Sequence, residues 1–352
     1  MKHQDSTILM KSRTNLLKFT LHSCSFALVL VLLGCPGNNN RTAVSSATPE
    51  PAKTKKTDFD GDRAFEYVRK QVEFGPRPPG SPELEKTRAY IIDQLKSFGL
   101  TVTTDEFEAT TPMGQKRMAN IIAELPGAAS DIVIICSHYD TKFIKDFRFV
   151  GANDAGSSTG ALMEIARVLA MKKMPLKQTY RFVFFDGEEA FCFEWEECRN
   201  PNPSDPKNKL PDNTYGSRQY VSQLITRNEL SRVKAVVLLD MIGYKELRLG
   251  RADLSTAWLQ DVIWQTGKEL GYGSQFVNDG EGVGDDDHSP FLKAGVDAVD
   301  LIQLSTYGPG SSYWHSKEDT LDKISAKSLQ IVGDTVISSL PKIEERIQSR
   351  AR

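Results

Sequence analysis

Apolar positions from residue 58 onward follow two patterns, a helical repeat and short continuous runs. Phe65, Val68 and Val72 share one face of a helix, whereas 132–136 is apolar at every position, as in a strand covered on both faces. Helices are predicted at 58–74, 83–98, 156–172, 216–229, 255–271, 289–294 and 326–347, and strands at 100–109, 117–125, 131–137, 180–185, 233–239, 246–249, 274–278 and 297–303. This alternation predicts a three-layer α/β sandwich with a mostly parallel, mixed central sheet.

The first 35 residues differ, because a basic segment precedes a short apolar run. The run FALVLVLL (26–33) is too short to span a bilayer comfortably, and it ends in Gly34-Cys35. Basic residues, a short apolar core and a small residue before the break are typical of an export signal. The ending LLGC resembles a bacterial lipoprotein signal, in which Cys35 becomes the lipidated first residue. The alternative is an ordinary cleaved signal with an incidental cysteine.

Residues 36–57 contain almost no apolar bulk and cannot form a core, so they are predicted to be a flexible tether. The predicted organisation is therefore a lipoprotein-type signal peptide at 1–35, a tether at 36–57 and one folded domain at 58–352. This organisation predicts a protein of the bacterial cell envelope. Lipidated Cys35 would hold it on the membrane, facing the periplasm or the cell surface.

Composition adds two constraints. With 44 basic and 46 acidic residues the net charge is −2, and nothing in this balance suggests a nucleic-acid partner. Outside the signal region, three cysteines remain, which are Cys136, Cys192 and Cys198. An oxidising compartment permits a Cys192–Cys198 bridge across a short loop, and three free thiols are the alternative.

Acidic and histidine side chains collect directly after predicted strands. They are His138, Asp140, Asp154, Asp186, Glu188, Glu189, Asp240, Asp285, Asp286, Asp287, His288 and His315. In sheets of this class, ligands bind just beyond the carboxyl ends of the strands. We therefore expect these side chains to meet on one rim of the sheet.

Three of these residues form a candidate zinc site. Zinc accepts nitrogen and oxygen ligands in a tetrahedral arrangement and keeps one position open when it is catalytic. Asp154, Glu189 and His315 would supply three ligands and leave one position for water or substrate. Glu188, directly before Glu189, would stay free to shuttle a proton beside the metal.

Seven short motifs carry a resemblance to a known family. They are HYD (138–140), GANDAGSSTG (151–160), FFDGEEAF (184–191), YGSR (215–218), LLDMIG (238–243), DDHSPFLKAG (286–295) and WHSKEDT (314–320). In this order they resemble the zinc aminopeptidase and glutaminyl cyclase superfamily, from about residue 58 to the C-terminus. The resemblance implies that 58–352 is a zinc-dependent catalytic domain.

One branch of that superfamily is the two-zinc aminopeptidases. The resemblance would then assign His138, Asp154 and Asp240 to one zinc, and Asp154, Glu189 and His315 to the other. Asp154 would bridge the two ions, and Glu188 would activate the water that attacks the peptide bond. All of these ligand types are present, so the ligands alone leave this alternative open.

The other branch, the glutaminyl cyclases, is favoured by details of four motifs. Asp286 occupies the position where the aminopeptidases usually carry serine, and Trp314 precedes His315 as in cyclases. The wordings DGEEAF and HYDTK…FVGAND are also close to those of cyclases. The loop NDAGSSTG departs from this pattern, because its small residues also suit aminopeptidases.

The cyclase hypothesis predicts conversion of N-terminal glutamine in peptides or proteins to pyroglutamate, with release of ammonia. One zinc is expected as Lewis acid, with two as the alternative. Glu188 would carry the proton, supported by an acidic cluster with Asp240 and Asp286. Trp314 and His288 are assigned to substrate binding. A third hypothesis is a binding protein with a degenerate site; it is disfavoured because no ligand type is missing.

Overall fold

The computed structural model describes residues 57–172, 176–192, 200–202, 205–304 and 313–350. The predicted signal peptide with Cys35, all of the tether except Thr57, and Cys198 lie outside this part of the chain. Cys192 takes part in a disulfide, and the Cys192–Cys198 pairing stays a prediction. Within the described ranges, no helix has the length and apolar character needed to cross a membrane.

The described elements follow the predicted order. The strands are β1 (Thr101–Thr111), β2 (Gly114–Leu125), β3 (Ile132–His138), β4 (Thr179–Phe185), β5 (Asn200–Asn202), β6 (Asp205–Leu210), β7 (Val233–Asp240), β8 (Leu249–Ala252), β9 (Phe276–Glu281) and β10 (Ala298–Ile302). The helices are α1 (Gly61–Phe74), α2 (Pro82–Ser97), α3 (Gly156–Ala170), α4 (Tyr215–Thr226), α5 (Ala257–Glu269), α6 (Ser289–Lys293) and α7 (Ala326–Arg350).

Six strands form the central sheet in the order β1-β2-β4-β3-β7-β10. Strands β4, β3, β7 and β10 are parallel, and β2 runs antiparallel to both of its neighbours. The predicted mixed, mostly parallel sheet is therefore confirmed. Because these parallel strands share one direction, their carboxyl ends open onto a single edge.

Helices cover both faces of the sheet, because successive side chains of a strand point to opposite sides. In β3, Val133 and Ile135 pack in one cluster with α1, α2, α3, α5 and α7. Ile132 and Ile134 pack in the other cluster, with α4 and Phe291 of α6. The continuous apolar run of β3 thus serves two cores, which gives the three layers.

Glycine allows α1 and α3 to approach closely on the larger face. A Cβ atom at Gly160 would lie 2.7 Å from the backbone oxygen of Ala64 and 2.8 Å from a methyl carbon of Val68. Such contacts are shorter than van der Waals separation, so this position requires a residue without a side chain. The contact holds α3, and the loop before it, against α1.

The first described residues pack on the last helix. Thr57 hydrogen-bonds to the carboxylate of Asp334 in α7. The ring of Phe59 lies over Gly333, where a Cβ atom would come within 2.4 Å of the ring. Asp60 then caps α1 by accepting a hydrogen bond from the backbone N–H of Arg63 at 3.0 Å.

Two predicted strands lie outside the central sheet. The strands predicted at 246–249 and 274–278 correspond to β8 and β9, which pair with each other in a separate parallel sheet. The sequence of β9 is FVNDGE, and its middle residues are exposed or half-buried. A strand in the central sheet is covered by helices on both faces, and a segment as polar as β9 cannot be buried there. The polar insertion at 192–213 contains the antiparallel pair β5–β6.

Candidate metal centre and adjoining cavity

The carboxyl ends of the parallel strands bring the predicted site residues together. His138 is the last residue of β3 and Asp240 the last of β7, and Glu188 and Glu189 follow β4 in the chain. Asp154 lies two residues before the start of α3, and His315 lies in the segment before α7. These residues converge at the same edge of the sheet, as the strand-end rule predicts.

Two groups of potential metal-ligating atoms share Asp154. In the first group, Nε2 of His315 is 3.1 Å from Oε1 of Glu189 and 3.3 Å from Oδ2 of Asp154. In the second, Nε2 of His138 is 3.3 Å from Oδ1 of Asp154 and 3.3 Å from Oδ1 of Asp240. The three ligand atoms of each group lie within 4.8 Å of one another. The two oxygens of Asp154 therefore face different groups.

The first group fits a bound divalent cation. Asp154 and Glu189 are both 2% exposed, so neither carboxylate is solvated. Within the described chain, Oδ2 of Asp154 and Oε2 of Glu189 are buried and accept no well-formed hydrogen bond; their charged neighbours are Nε2 of His315 at 3.3 Å and Nζ of Lys142 at 3.7 Å. A buried carboxylate oxygen without a well-formed hydrogen bond is costly, and a bound cation would offset that cost. Two carboxylates and an imidazole are also a donor set that zinc accepts.

Burial and like charges set the electrostatics of the centre. Burial alone would lower the pKa of His315, but the carboxylates of Glu189 and Asp154 outweigh it and raise that pKa to about 9. Burial would raise the pKa of Asp154, yet the neighbouring imidazoles of His138 and His315 lower that pKa well below its usual range. The centre therefore favours charged carboxylates opposite a positive charge, which a metal ion would supply when the imidazoles are neutral.

An acidic cluster adjoins the metal-ligating groups. Burial raises the pKa of Glu188 well above its usual range, against the opposing effect of His138. Burial and the neighbouring Asp240 raise the pKa of Asp286 to about 6. Asp300, which is fully buried, has its pKa raised by burial and then by Asp286. These groups cannot all be ionised at neutral pH, so the cluster holds protons.

A cavity of about 400 Å³ opens directly onto this centre. Its polar wall includes Asp154, Glu188, Glu189, Asp240, Asp286 and His315, and its apolar wall Met241, Val283, Ile302, Leu304 and Trp314. The Trp314 ring stacks on the His315 ring with 4.1 Å between centroids. One wall can thus hold charge and protons while the other contacts apolar atoms.

His288 lies elsewhere than predicted. It is fully buried, does not line the cavity, and has Nδ1 at 3.9 Å from Oδ2 of Asp300. The chain turns into α6 at His288, which carries the ring behind Asp286, away from the cavity. Direct substrate contact, predicted for His288, does not fit this position.

Two residues support the centre in ways that the sequence does not predict: Asp140 is expected at the rim without a specific role, and Lys142 is not expected there. Asp140 accepts hydrogen bonds from the backbone amides of Glu188 at 3.1 Å and Glu189 at 3.3 Å. Lys142 is buried, donates to the backbone oxygen of Ala190 at 2.8 Å and lies 3.7 Å from Oε2 of Glu189. Both belong to the HYDTK segment, but backbone partners leave no mark in a sequence pattern. Their contacts fix the segment that carries Glu188 and Glu189.

Similarity to known proteins agrees with this geometry. The family model described as Peptidase family M28 matches residues 120–340. A glutaminyl-peptide cyclotransferase of Boiga irregularis is 30% identical over 298 residues, covering 72% of this chain and 76% of that protein. The crystal structure of an Acidobacteriales bacterium glutaminyl cyclase superposes with a TM-score of 0.72 and 35% identity, covering 85% of this chain and 100% of that one.

A peptidase is also among the structural relatives. A Zn-dependent exopeptidase from Parabacteroides distasonis superposes with a TM-score of 0.70 and 27% identity, covering 80% of this chain and 98% of that one. The family match spans more than half of the chain, and the curated relative covers more than two thirds of it. The chain belongs to peptidase family M28 and, within that family, to the glutaminyl cyclases.

Proposed function

We propose that this chain is a zinc-dependent glutaminyl-peptide cyclotransferase, which converts N-terminal glutamine of peptides and proteins to pyroglutamate and releases ammonia. The observation that carries the proposal is the acidic cluster of Glu188, Asp240 and Asp286 on the cavity wall beside the metal-ligating group. An intramolecular aminolysis moves a proton between two nitrogens, which suits a proton-holding cluster.

In this reaction one nitrogen replaces another at the side-chain amide carbon. The α-amine of glutamine attacks the side-chain amide carbon, the new C–N bond closes the lactam ring, and the bond to the amide nitrogen breaks. Glu188 takes the proton from the attacking amine and returns it to the departing nitrogen, which leaves as ammonia. Asp240 and Asp286 line the same cavity and give Glu188 acidic neighbours, and Trp314 would form a flat wall along the substrate.

Asp154, Glu189 and His315 would hold one zinc ion. When bound there, zinc supplies Lewis-acid polarisation of the side-chain amide carbonyl. All three residues line the cavity, whereas His138 of the second group does not. This difference favours the first group as the site that meets the substrate, and it supports the expectation of one zinc.

A two-zinc aminopeptidase is the second candidate. It is supported by the second group, in which His138 lies 3.3 Å from both Asp154 and Asp240. It is also supported by similarity to the Zn-dependent exopeptidase of Parabacteroides distasonis. In that function Glu188 would activate a water molecule, and cleavage of the N-terminal residue would replace cyclisation.

One assay pair separates the two candidates. Purified protein is incubated with Gln-Ala and, separately, with an aminoacyl anilide, and ammonia and aniline release are measured. The cyclotransferase releases ammonia from Gln-Ala and leaves the anilide intact. Anilide cleavage without ammonia release would reject the proposal in favour of the aminopeptidase.

We further propose that Cys35 is lipidated and holds the enzyme on the membrane of a bacterial envelope. The apolar run before Gly34-Cys35 and the polar segment 36–57 support this anchor. Substrates would then be peptide or protein N-termini that reach the periplasm or the cell surface.

A further inference from the structure

Asp319 holds the loop that carries the metal-ligating Asp154. Its side chain is buried, and its two oxygens accept hydrogen bonds from the backbone amides of Asn153 at 2.7 Å and Asp154 at 3.1 Å. Its backbone oxygen accepts a third bond, from the amide of Ala152 at 3.3 Å. One residue therefore binds three successive amides of the loop.

Arg77 holds the preceding part of the same loop from the other side. Its guanidinium is fully buried and donates to the backbone oxygens of Val150 at 2.9 Å and Gly151 at 3.1 Å. Gly151 has φ +51°, and a Cβ atom there would lie 1.9 Å from the backbone oxygen of Asp154. The loop is thus a tight turn whose peptide groups are bound by the guanidinium of Arg77 and by the carboxylate of Asp319.

Asp319 also belongs to the loop that carries His315. It lies four residues after that histidine, and its backbone amide donates to the oxygen of Ser316 at 3.2 Å. His315 has φ +48°, a backbone conformation that a non-glycine residue adopts only when its surroundings fix it. Asp319 therefore connects the segment of one metal-ligating residue to the segment of another.

Like charges oppose the assembly of this centre. Asp154 and Glu189 are buried close to each other and to the same imidazole, so their carboxylates repel each other without a cation. Hydrogen bonds to the backbone on either side of Asp154 offset that repulsion, because they fix the loop whatever the charge of the side chain.

We infer that Asp319, supported by Arg77, is the positioning residue of the metal centre, and that it sets zinc affinity by fixing the Asp154 loop against the His315 loop. This inference rests on the proposed zinc site. Residues that orient metal ligands typically change metal affinity about 10–100-fold when they are replaced. A residue that only stabilised the fold would change the melting temperature and leave zinc affinity unchanged.

The test is Asp319→Asn, measured on the full mature protein. The amide keeps the size of the carboxyl but replaces one acceptor oxygen with a donor, so one of the two side-chain bonds to the loop is lost. We expect the zinc Kd, measured by competition with a chromogenic chelator, to rise about 10–100-fold. The melting temperature of the zinc-free protein should change little, and saturating zinc should restore cyclisation.

The matched control is Asp322→Asn, in the same loop. Asp322 is exposed and contacts Thr320 and Lys323, so its replacement should leave zinc Kd unchanged. A wild-type zinc Kd in Asp319→Asn, with or without a lower melting temperature, overturns the inference. Failure of the wild type to bind zinc would instead overturn the proposed metal site, and the inference with it.

A second variant covers the case in which Asp319→Asn does not fold. Arg77→Lys keeps the positive charge but cannot donate to both Val150 and Gly151 from a planar fork. It should also raise zinc Kd and retain activity at saturating zinc. A folded Arg77→Lys protein with wild-type zinc Kd would contradict the inference.

Discussion

Oδ1 of Asp140 accepts a hydrogen bond from the backbone amide of Glu188 at 3.1 Å. Asp140 follows β3, and Glu188 follows β4, the parallel neighbour of β3. The bond therefore ties the proposed proton carrier to the end of an adjacent strand. It leaves the carboxyl of Glu188 free for chemistry, because only the backbone of that residue is used.

Asp286→Asn should lower cyclisation of Gln-Ala by about 10²–10⁴-fold, the range for loss of a general acid/base contribution. The amide keeps the size of the side chain but removes the site that holds a proton. Zinc content should stay at the wild-type level, because Asp154, Glu189 and His315 are unchanged. Ammonia release and zinc are measured on the same sample.

The control for this variant is Asp279→Asn, an exposed aspartate paired with Arg248 on the surface. It should cyclise at the wild-type rate. If Asp286→Asn is as fast as the wild type, the cluster does not act as proposed. The aminopeptidase hypothesis predicts such tolerance, because it needs only a small polar group at this position.

Cyclisation should depend on pH with an acid limb near 6. Burial and Asp240 raise the pKa of Asp286 to about 6, so its carboxyl is ionised above that pH and protonated below it. A fully protonated cluster cannot take the proton of the attacking amine, and kcat/KM should fall as pH decreases through this range. The apparent value belongs to the coupled cluster.

A kcat/KM profile recorded between pH 4.5 and 8.5 at saturating zinc tests this sign. In Asp286→Asn the residual activity should lack the limb near 6. A limb that is identical in both proteins would assign it to another group. Activity that rises toward low pH would contradict the proposed direction of proton transfer.

The protein should bind about one zinc ion per chain, because the proposed site consists of the single group Asp154, Glu189 and His315. His315→Gln should therefore lose the metal, and His138→Gln should keep about one equivalent. Inductively coupled plasma mass spectrometry on the purified proteins gives the count. Two equivalents in the wild type, falling to one in His138→Gln, would favour the two-zinc aminopeptidase.

Cys35→Ser should abolish lipidation and release the protein from the membrane fraction, because no thiol remains to be acylated. Fractionation and metabolic labelling with a clickable fatty acid provide the measurement. Cys24→Ser, also within the predicted signal peptide, is the matched control and should stay anchored. Normal membrane retention of Cys35→Ser would reject the anchor.

Much of the fold is predictable because the elements that matter are long and strongly patterned. The apolar run of β3 is continuous since both of its faces are covered. The predictions are wrong mainly at the ends of elements. Helix α1 begins at Gly61, three residues after its predicted start, because the side chain of Asp60 caps it. The polar strand β9 shows that a strand pattern does not identify the sheet to which the strand belongs.

Only part of the functional site is predictable from the sequence. Residues that project from strand ends, such as His138 and Asp240, follow from topology. Asp319 does not, since its bond to the amide of Asp154 joins residues 165 positions apart and uses a backbone group that every residue has. His288 looks like a site residue in the sequence, yet the turn into α6 buries it behind Asp286.

The contact between Phe59 and Gly333 has a consequence for how the chain acquires its structure. It joins the start of the described domain to α7, so it forms only after the chain up to residue 333 is available. A growing chain that ends before residue 326 lacks α7 and leaves one flank of α1 in water. Such an incomplete chain exposes apolar surface and is prone to association. The Phe59–Gly333 contact therefore makes the packing of α1 depend on α7.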